Sequence, residues 1–170
     1  MTANDIELAV SRNYGIRQNI IVPNVSWGIH CLQYEADLVV LRPSGWGIEI
    51  EIKVSGSDIK ADLKKRHTHD CNLFKELWFA VPEELAGHSD IPERAGIISV
   101  KVCVANSYQP NGHSATRIRP ATTNKEAIKW SDRNRQALCR LATMRVWSLK
   151  ATIAKIRKIP TISDKQGDQG

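Results

Sequence analysis

Tyr34-Glu35-Ala36-Asp37-Leu38-Val39-Val40-Leu41, followed after a short turn by Gly47-Ile48-Glu49-Ile50-Glu51-Ile52-Lys53-Val54, is the stretch that decides how this chain is read. Successive side chains of a strand point to opposite faces, so Ile48, Ile50, Ile52 and Val54 fall on one side and Glu49, Glu51 and Lys53 on the other. The intervening RPSGWG is rich in turn residues, which predicts an antiparallel hairpin of two strands, 34–41 and 48–54. Carboxylates two residues apart on one strand lie only ~7 Å from each other and repel unless a cation sits between or beside them. Lys53 supplies part of that remedy. If the neighbouring strand brings Asp37 alongside Glu51, the pair can hold Mg²⁺ (or Mn²⁺), which takes one or two carboxylates, keeps several waters and works with substrate phosphate. A metal held by Asp37, Glu51 and the backbone carbonyl of Ile52 would polarise a phosphodiester and generate hydroxide, with Lys53 orienting the water. The same alternation is also what an ordinary ion ladder on a solvent-facing strand produces.

Outward from the hairpin, a helix is expected over Asp5–Asn13, with Asn4 as its cap and Gly15 ending it. Asn4 and Glu7 have capping-box spacing. A short strand follows at Gln18–Val22, with Pro23, Asn24 and Gly28 in the loop after it. Ser57 is placed to cap a helix running to about His67, with Asp58 in its first turn and Lys64, Lys65 and Arg66 in its last, matching the helix dipole. Glu76–Val81 and Gly96–Val104 are β-rich apolar runs of strand length, separated by a loop with Pro82, Gly87 and Pro92. A polar link from Ser107 to Pro120 then leads to a segment, Asn124–Ile159, without Gly or Pro and rich in Ala, Leu, Arg and Lys. It is expected to form one long helix, or two joined near Ser131. The tail, DKQGDQG, is too polar to fold alone.

A chain of 170 residues, 42% hydrophobic, can bury one sizeable core. The net charge of +6 is unevenly spread: residues 1–107 carry 11 Lys and Arg against 14 Asp and Glu, whereas residues 108–170 carry 13 against 4. Base in the tail makes a polyanion such as DNA the first partner to consider, although a well-solvated helical surface would look the same. Lys64, Lys65, Arg117, Arg119, Lys125, Lys129, Arg133, Arg140 and Arg145 are the candidate phosphate contacts. Trp130, Leu138, Leu141, Met144 and Trp147 are expected to dock the C-terminal helix on the core.

No run approaches the length of a membrane span, and MTANDIELAV has neither a basic leader nor a cleavage site, so a cytoplasmic protein with no membrane partner is expected. The four cysteines, Cys31, Cys71, Cys103 and Cys139, form no CxxC pair and are read as reduced thiols. His67, His69, Asp70 and Cys71 are ligand types at a spacing that fits no standard zinc site.

The order Glu7 in a first helix, Asp37, a gap of 13 residues, then Glu51-Ile52-Lys53 and a capped helix resembles the PD-(D/E)xK nuclease superfamily. More narrowly, EIKVSGSDIKADLKKRH with the downstream Phe79-Ala80-Val81-Pro82 looks like the MmcB-type DNA-repair nucleases, over about residues 1–105. The resemblance implies a restriction-endonuclease-like α/β fold, a mixed sheet flanked by helices, with a basic C-terminal helical extension. It implies Asp37 and Glu51 as metal ligands, Lys53 as the motif lysine, and Glu7 as the acid that many members supply from the first helix. Ala36 stands where the motif has proline. Glu7 is equally a capping glutamate, and Glu49 either assists a second metal or is a solvated neighbour. The organisation expected is a nuclease-like core at 1–106, a linker at 107–123, a basic helical extension at 124–159 and an unfolded tail at 160–170. The activity implied is metal-dependent endonucleolytic cleavage of DNA. A nuclease-fold module that binds DNA without cutting it, or a protein whose basic helix contacts an acidic partner, remains compatible with the same residues.

Overall fold

In the computed structural model, which describes residues 1–62 and 71–157, the first helix α1 spans Ala3–Tyr14. Thr2 caps it: its hydroxyl accepts from the Asp5 amide at 3.2 Å, and the Asp5 carboxylate accepts from the Thr2 amide at 2.8 Å. The capping box is therefore Thr2/Asp5 and not Asn4/Glu7, and Glu7 is released from any capping role. Gly15 ends the helix in the left-handed region, φ 76°, as its sequence position predicts.

Six strands follow: β1 (Ile20–Val25), β2 (Ala36–Leu41), β3 (Gly47–Ile52), β4 (Phe74–Pro82), β5 (Gly96–Val102) and β6 (His113–Arg119). They form one sheet in sequence order, antiparallel at β1/β2, β2/β3 and β5/β6 and parallel at β3/β4 and β4/β5. The expected hairpin is present. Leu38 pairs with Ile50 and Val39 with Glu49, so the register carried one residue further sets Asp37 opposite Glu51. Helix α2 (Gly56–Asp62) occupies the crossover between the parallel strands β3 and β4, and a 3-10 turn at Glu83–Leu85 lies between β4 and β5. Ser55, rather than Ser57, caps α2, its hydroxyl accepting from the Asp58 amide.

Apolar side chains cover both faces. On one, α1 lays Ile6, Ala9, Val10 and Tyr14 against Leu38, Val40, Ile48, Ile50 and Ile52. On the other, Val39 and Leu41 meet Leu73, Phe74, Trp130, Leu138 and Leu141. β3 is consequently buried along its whole length, charged residues included.

Several expectations need correction. Pro23 and Asn24 lie inside β1, where proline is tolerated because β1 is a sheet edge and the missing N–H removes no ladder bond. The segment read as a linker, 107–123, contains β6, a half-exposed edge strand whose sequence, HSATRIR, has too little apolar alternation to stand out. The long helix, α3, begins at Asp132 and not near Asn124. Residues 124–131 are instead stitched to the sheet by Asn124 N–H to Lys75 O, Ile128 N–H to Asn72 O and Trp130 N–H to Gly45 O. Met144 and Trp147, expected in the core, are 44% and 63% exposed, because α3 runs past the sheet after Leu141. Lys64, Lys65, Arg66, His67, His69 and Asp70 lie outside the described residues.

Trp130 is the pin of the second face: its indole N–H donates to Leu73 O at 2.7 Å directly over Gly47. A Cβ at position 47 would strike the Trp130 ring nitrogen and stand 2.7 Å from Leu73 O. Gly47→Ala is therefore expected to lower stability by about 1–3 kcal/mol through overpacking, checked by urea unfolding with the m-value unchanged.

Candidate functional site

Lys53 follows the last residue of β3, where the chain leaves the sheet toward α2. The carboxyl ends of parallel strands are where open α/β sheets commonly bind ligands. Its ammonium is 3% exposed and lies 2.5 Å from Glu51 Oε2, 3.0 Å from Asp62 Oδ1 and 3.5 Å from Asp37 Oδ2. Asp37 and Glu51 thus converge on one cation, and their acidic oxygens can be no farther apart than the sum of their two distances to Nζ. Asp37 Oδ2 also accepts the Ile52 amide at 2.9 Å, which fixes the carboxylate against the end of β3. Ile52 thus holds Asp37 through its N–H, a contact that leaves its carbonyl oxygen out of account.

Glu51 and Glu49 are both 0% exposed. A solvent-facing ion ladder is therefore excluded. Glu49 accepts from the Tyr34 hydroxyl at 2.9 Å, so it is a buried structural acceptor and not a solvated neighbour. Burial, and then the Glu49 charge, push the Tyr34 phenol well above its usual range, which keeps it a donor. For Lys53, burial acts to lower the ammonium pKa, but Glu51 and Asp37 outweigh it and the net shift is upward. Lys53 is thus a fixed cation across the physiological range and cannot serve as a proton acceptor there.

Glu7 projects from α1 toward the same corner. Its carboxyl is held above the ordinary glutamate value by burial and, second, by the negative charge of Asp37. Glu7 of the first helix therefore feels the charge of the hairpin acid Asp37. Asp62 is the member that residue-by-residue reading missed. It sits at the last position of α2, is buried, and pairs with Lys53 through Oδ1. Its sequence signal is its place in the Ser57, Asp58, Ala61, Asp62 context that follows Lys53.

Among the described residues, no group of three or more His, Cys, Asp or Glu side chains is gathered as a ready metal cage. An all-protein calcium or zinc site does not fit this donor set. A pair of hard carboxylates, Asp37 and Glu51, does fit Mg²⁺ or Mn²⁺, whose remaining positions are filled by water and substrate.

Lys64 and Lys65 lie outside the described residues, and of the other expected nucleic-acid contacts several have their own partners elsewhere in the fold. Arg117 stacks over Tyr14 at 4.1 Å, on the α1 face. Arg119 donates to Ala95 O and Pro92 O and so ties down a loop. Lys129 lies near Trp46 in the β2–β3 turn, at the far end of the hairpin from Asp37. Lys125 and Arg133 are exposed. Arg145 donates to Asn24 O and ties α3 to β1.

The protein is of the mixed α/β class, with a six-stranded sheet flanked by helices. No family model matches the chain, and no curated protein matches it. Among solved structures it is similar to the SPO1766 protein of unknown function from Silicibacter pomeroyi, with a TM-score of 0.59 and 18% sequence identity over 95% of this chain and 97% of that one. At that identity the likeness shows a shared fold and nothing about activity. No described helix is long and apolar enough to cross a membrane.

Two outcomes follow from the charges. Removing the ammonium leaves buried acids unpaired, so Lys53→Met is expected to lower stability by about 3–5 kcal/mol in metal-free buffer. Because the folded pKa of Lys53 is raised, this contribution is fully present below the unfolded value of about 10.4 and is lost as pH rises through the folded value. Urea unfolding of both proteins from pH 7 to 11 should show a gap that holds to about pH 10 and then narrows. The sign is the same for Glu7 but the window is acidic: a raised carboxyl pKa means the folded state binds more protons, so stability falls as pH rises past the ordinary glutamate value. Glu7→Gln is expected to raise the Tm of metal-free protein at pH 7 and to leave it unchanged near pH 4, measured by scanning calorimetry.

Proposed function

We propose that this chain is a divalent-metal-dependent nuclease of the PD-(D/E)xK type that hydrolyses phosphodiester bonds in DNA. The single observation that supports it is the meeting of Asp37 and Glu51, from adjacent strands, at the Lys53 ammonium. Asp37 and Glu51 would hold the ion, with Glu7 close enough to Asp37 to feel its charge. When bound, Mg²⁺ or Mn²⁺ would polarise the phosphate and lower the pKa of a coordinated water. Lys53, permanently charged, orients the attacking water and offsets the charge that accumulates on the phosphoryl oxygens. The Ile52 amide keeps Asp37 from rotating away, and Asp62 holds the lysine when substrate is absent. Such pre-set geometry limits reorganisation during the reaction.

Nuclease assays on single- and double-stranded DNA with Mg²⁺ or Mn²⁺ test this reading. Activity is expected to vanish with EDTA and to fall by about 10²–10⁴-fold in Asp37→Asn and Glu51→Gln, with Lys53→Ala similarly impaired. Folding of each variant is checked by circular dichroism. A preparation that is folded, cuts nothing with either metal, and binds DNA in a salt-dependent manner unaffected by EDTA supports the second reading, a nuclease-fold binding module. The intimacy of the Lys53–Glu51 contact favours that alternative, since the ammonium itself already neutralises the pair.

A further inference from the structure

Beyond Arg145, whose guanidinium donates to Asn24 O, no hydrogen bond or ion pair among the described residues joins α3 to the sheet. After Leu141 no described residue of the helix is buried, yet α3 continues to Arg157. At 1.5 Å per residue, the stretch 143–157 extends roughly 22 Å beyond the last core contact. Along it, Val146, Leu149, Ile153 and Ile156 are 53%, 61%, 39% and 61% exposed. Their spacing, 3-4-3, is the alternation of a coiled-coil seam, and Ala142 extends it by one further step toward the core.

Three kinds of surface could cover such a seam, and charge and shape choose among them. Lys150 and Arg157 follow the seam on one flank, Arg145 on the other is engaged with Asn24 O, and every charged residue from Arg133 to Arg157 is basic. Two copies of α3 would set these cations against each other in either orientation, a like-charge arrangement that coiled coils use to reject a partner. A lipid surface calls for a broad continuous apolar face. Here the apolar arc is narrow, and Trp147 and Met144 lie about 100° or more around the helix from it. A single helix carrying apolar seam residues and acidic flanks matches both the width and the charge.

We propose that residues 142–157 of α3 form a docking helix for a partner protein that presents an acidic amphipathic helix. The proposal is independent of the nuclease reading, since none of its residues belongs to the Asp37–Glu51–Lys53 corner. A basic seam on a rigid arm would bring that corner to wherever the partner resides.

The probe is a synthetic helical peptide with Ile and Leu on its seam and Glu on both flanks, titrated by fluorescence anisotropy against the full-length protein. Its controls are a Lys-flanked version and a version with the same composition but scrambled apolar positions. The expected result is binding at least ~10-fold tighter than to either control, which is a difference of about 1.4 kcal/mol. Leu149→Asp is expected to abolish that preference without changing the Tm, because the residue is exposed. Lys150→Glu combined with Arg157→Glu is expected to reverse it toward the Lys-flanked peptide. Equal binding to the Glu-flanked and scrambled peptides overturns the proposal. So does self-association in light scattering that Leu149→Asp removes, which would make a second copy the occupant. Tight binding to phosphatidylserine vesicles, lost in Leu149→Asp and accompanied by no peptide preference, overturns it in favour of a membrane surface.

Discussion

A buried ammonium among carboxylates is the constraint around which this molecule is arranged. Lys53 cannot be left in the interior without counter-charges, and Glu51 cannot be left there without a cation. Satisfying both fixes several elements at once: the end of β3, the start of β2 through Asp37, and the last turn of α2 through Asp62. The hydrogen bond that the Ile52 N–H donates to Asp37 then locks the hairpin register at the point where the acids face each other. Apolar burial alone would tolerate small shifts here, whereas a network of charged hydrogen bonds does not.

The same arrangement separates stability from chemistry. Glu49 and Glu51 leave the same strand on the same face, but Glu49 is matched to a tyrosine hydroxyl whereas Glu51 is matched to an ammonium. A carboxylate held by a neutral donor stays where it is. One held by a cation depends on that charge, because without it the buried carboxylate is unpaired. The carboxyl of Glu7 is raised chiefly by burial and, second, by the negative charge of Asp37.

The basic half of the chain has turned out to serve several ends. Arg119 and Arg145 cap backbone carbonyls and Arg117 covers aromatic rings, so part of the positive charge read as a polyanion surface is structural. What remains lies chiefly on α3, whose inner half closes the core through Leu138 and Leu141 and whose outer half stands apart from it.

The strand alternation of 48–54 determined by itself that Ile48, Ile50 and Ile52 share one face and that Glu49, Glu51 and Lys53 share the other, and RPSGWG determined the hairpin. These are local properties, set by the two-residue period of a strand and by turn chemistry. Only the tertiary structure decided that the charged face is buried, that Asp62 returns from α2 to grip Lys53, that Thr2 and Asp5 cap the first helix in place of Asn4 and Glu7, and that HSATRIR completes the sheet. Apart from the cap, each of these depends on what packs against a residue from a distant part of the chain. Trp130 and Trp147 make the point on a smaller scale: both were read as core aromatics of one helix, yet Trp130 is pinned by Leu73 before the helix begins and Trp147 lies past the edge of the sheet. Period and composition specify which side chains travel together, and long-range packing specifies what they meet.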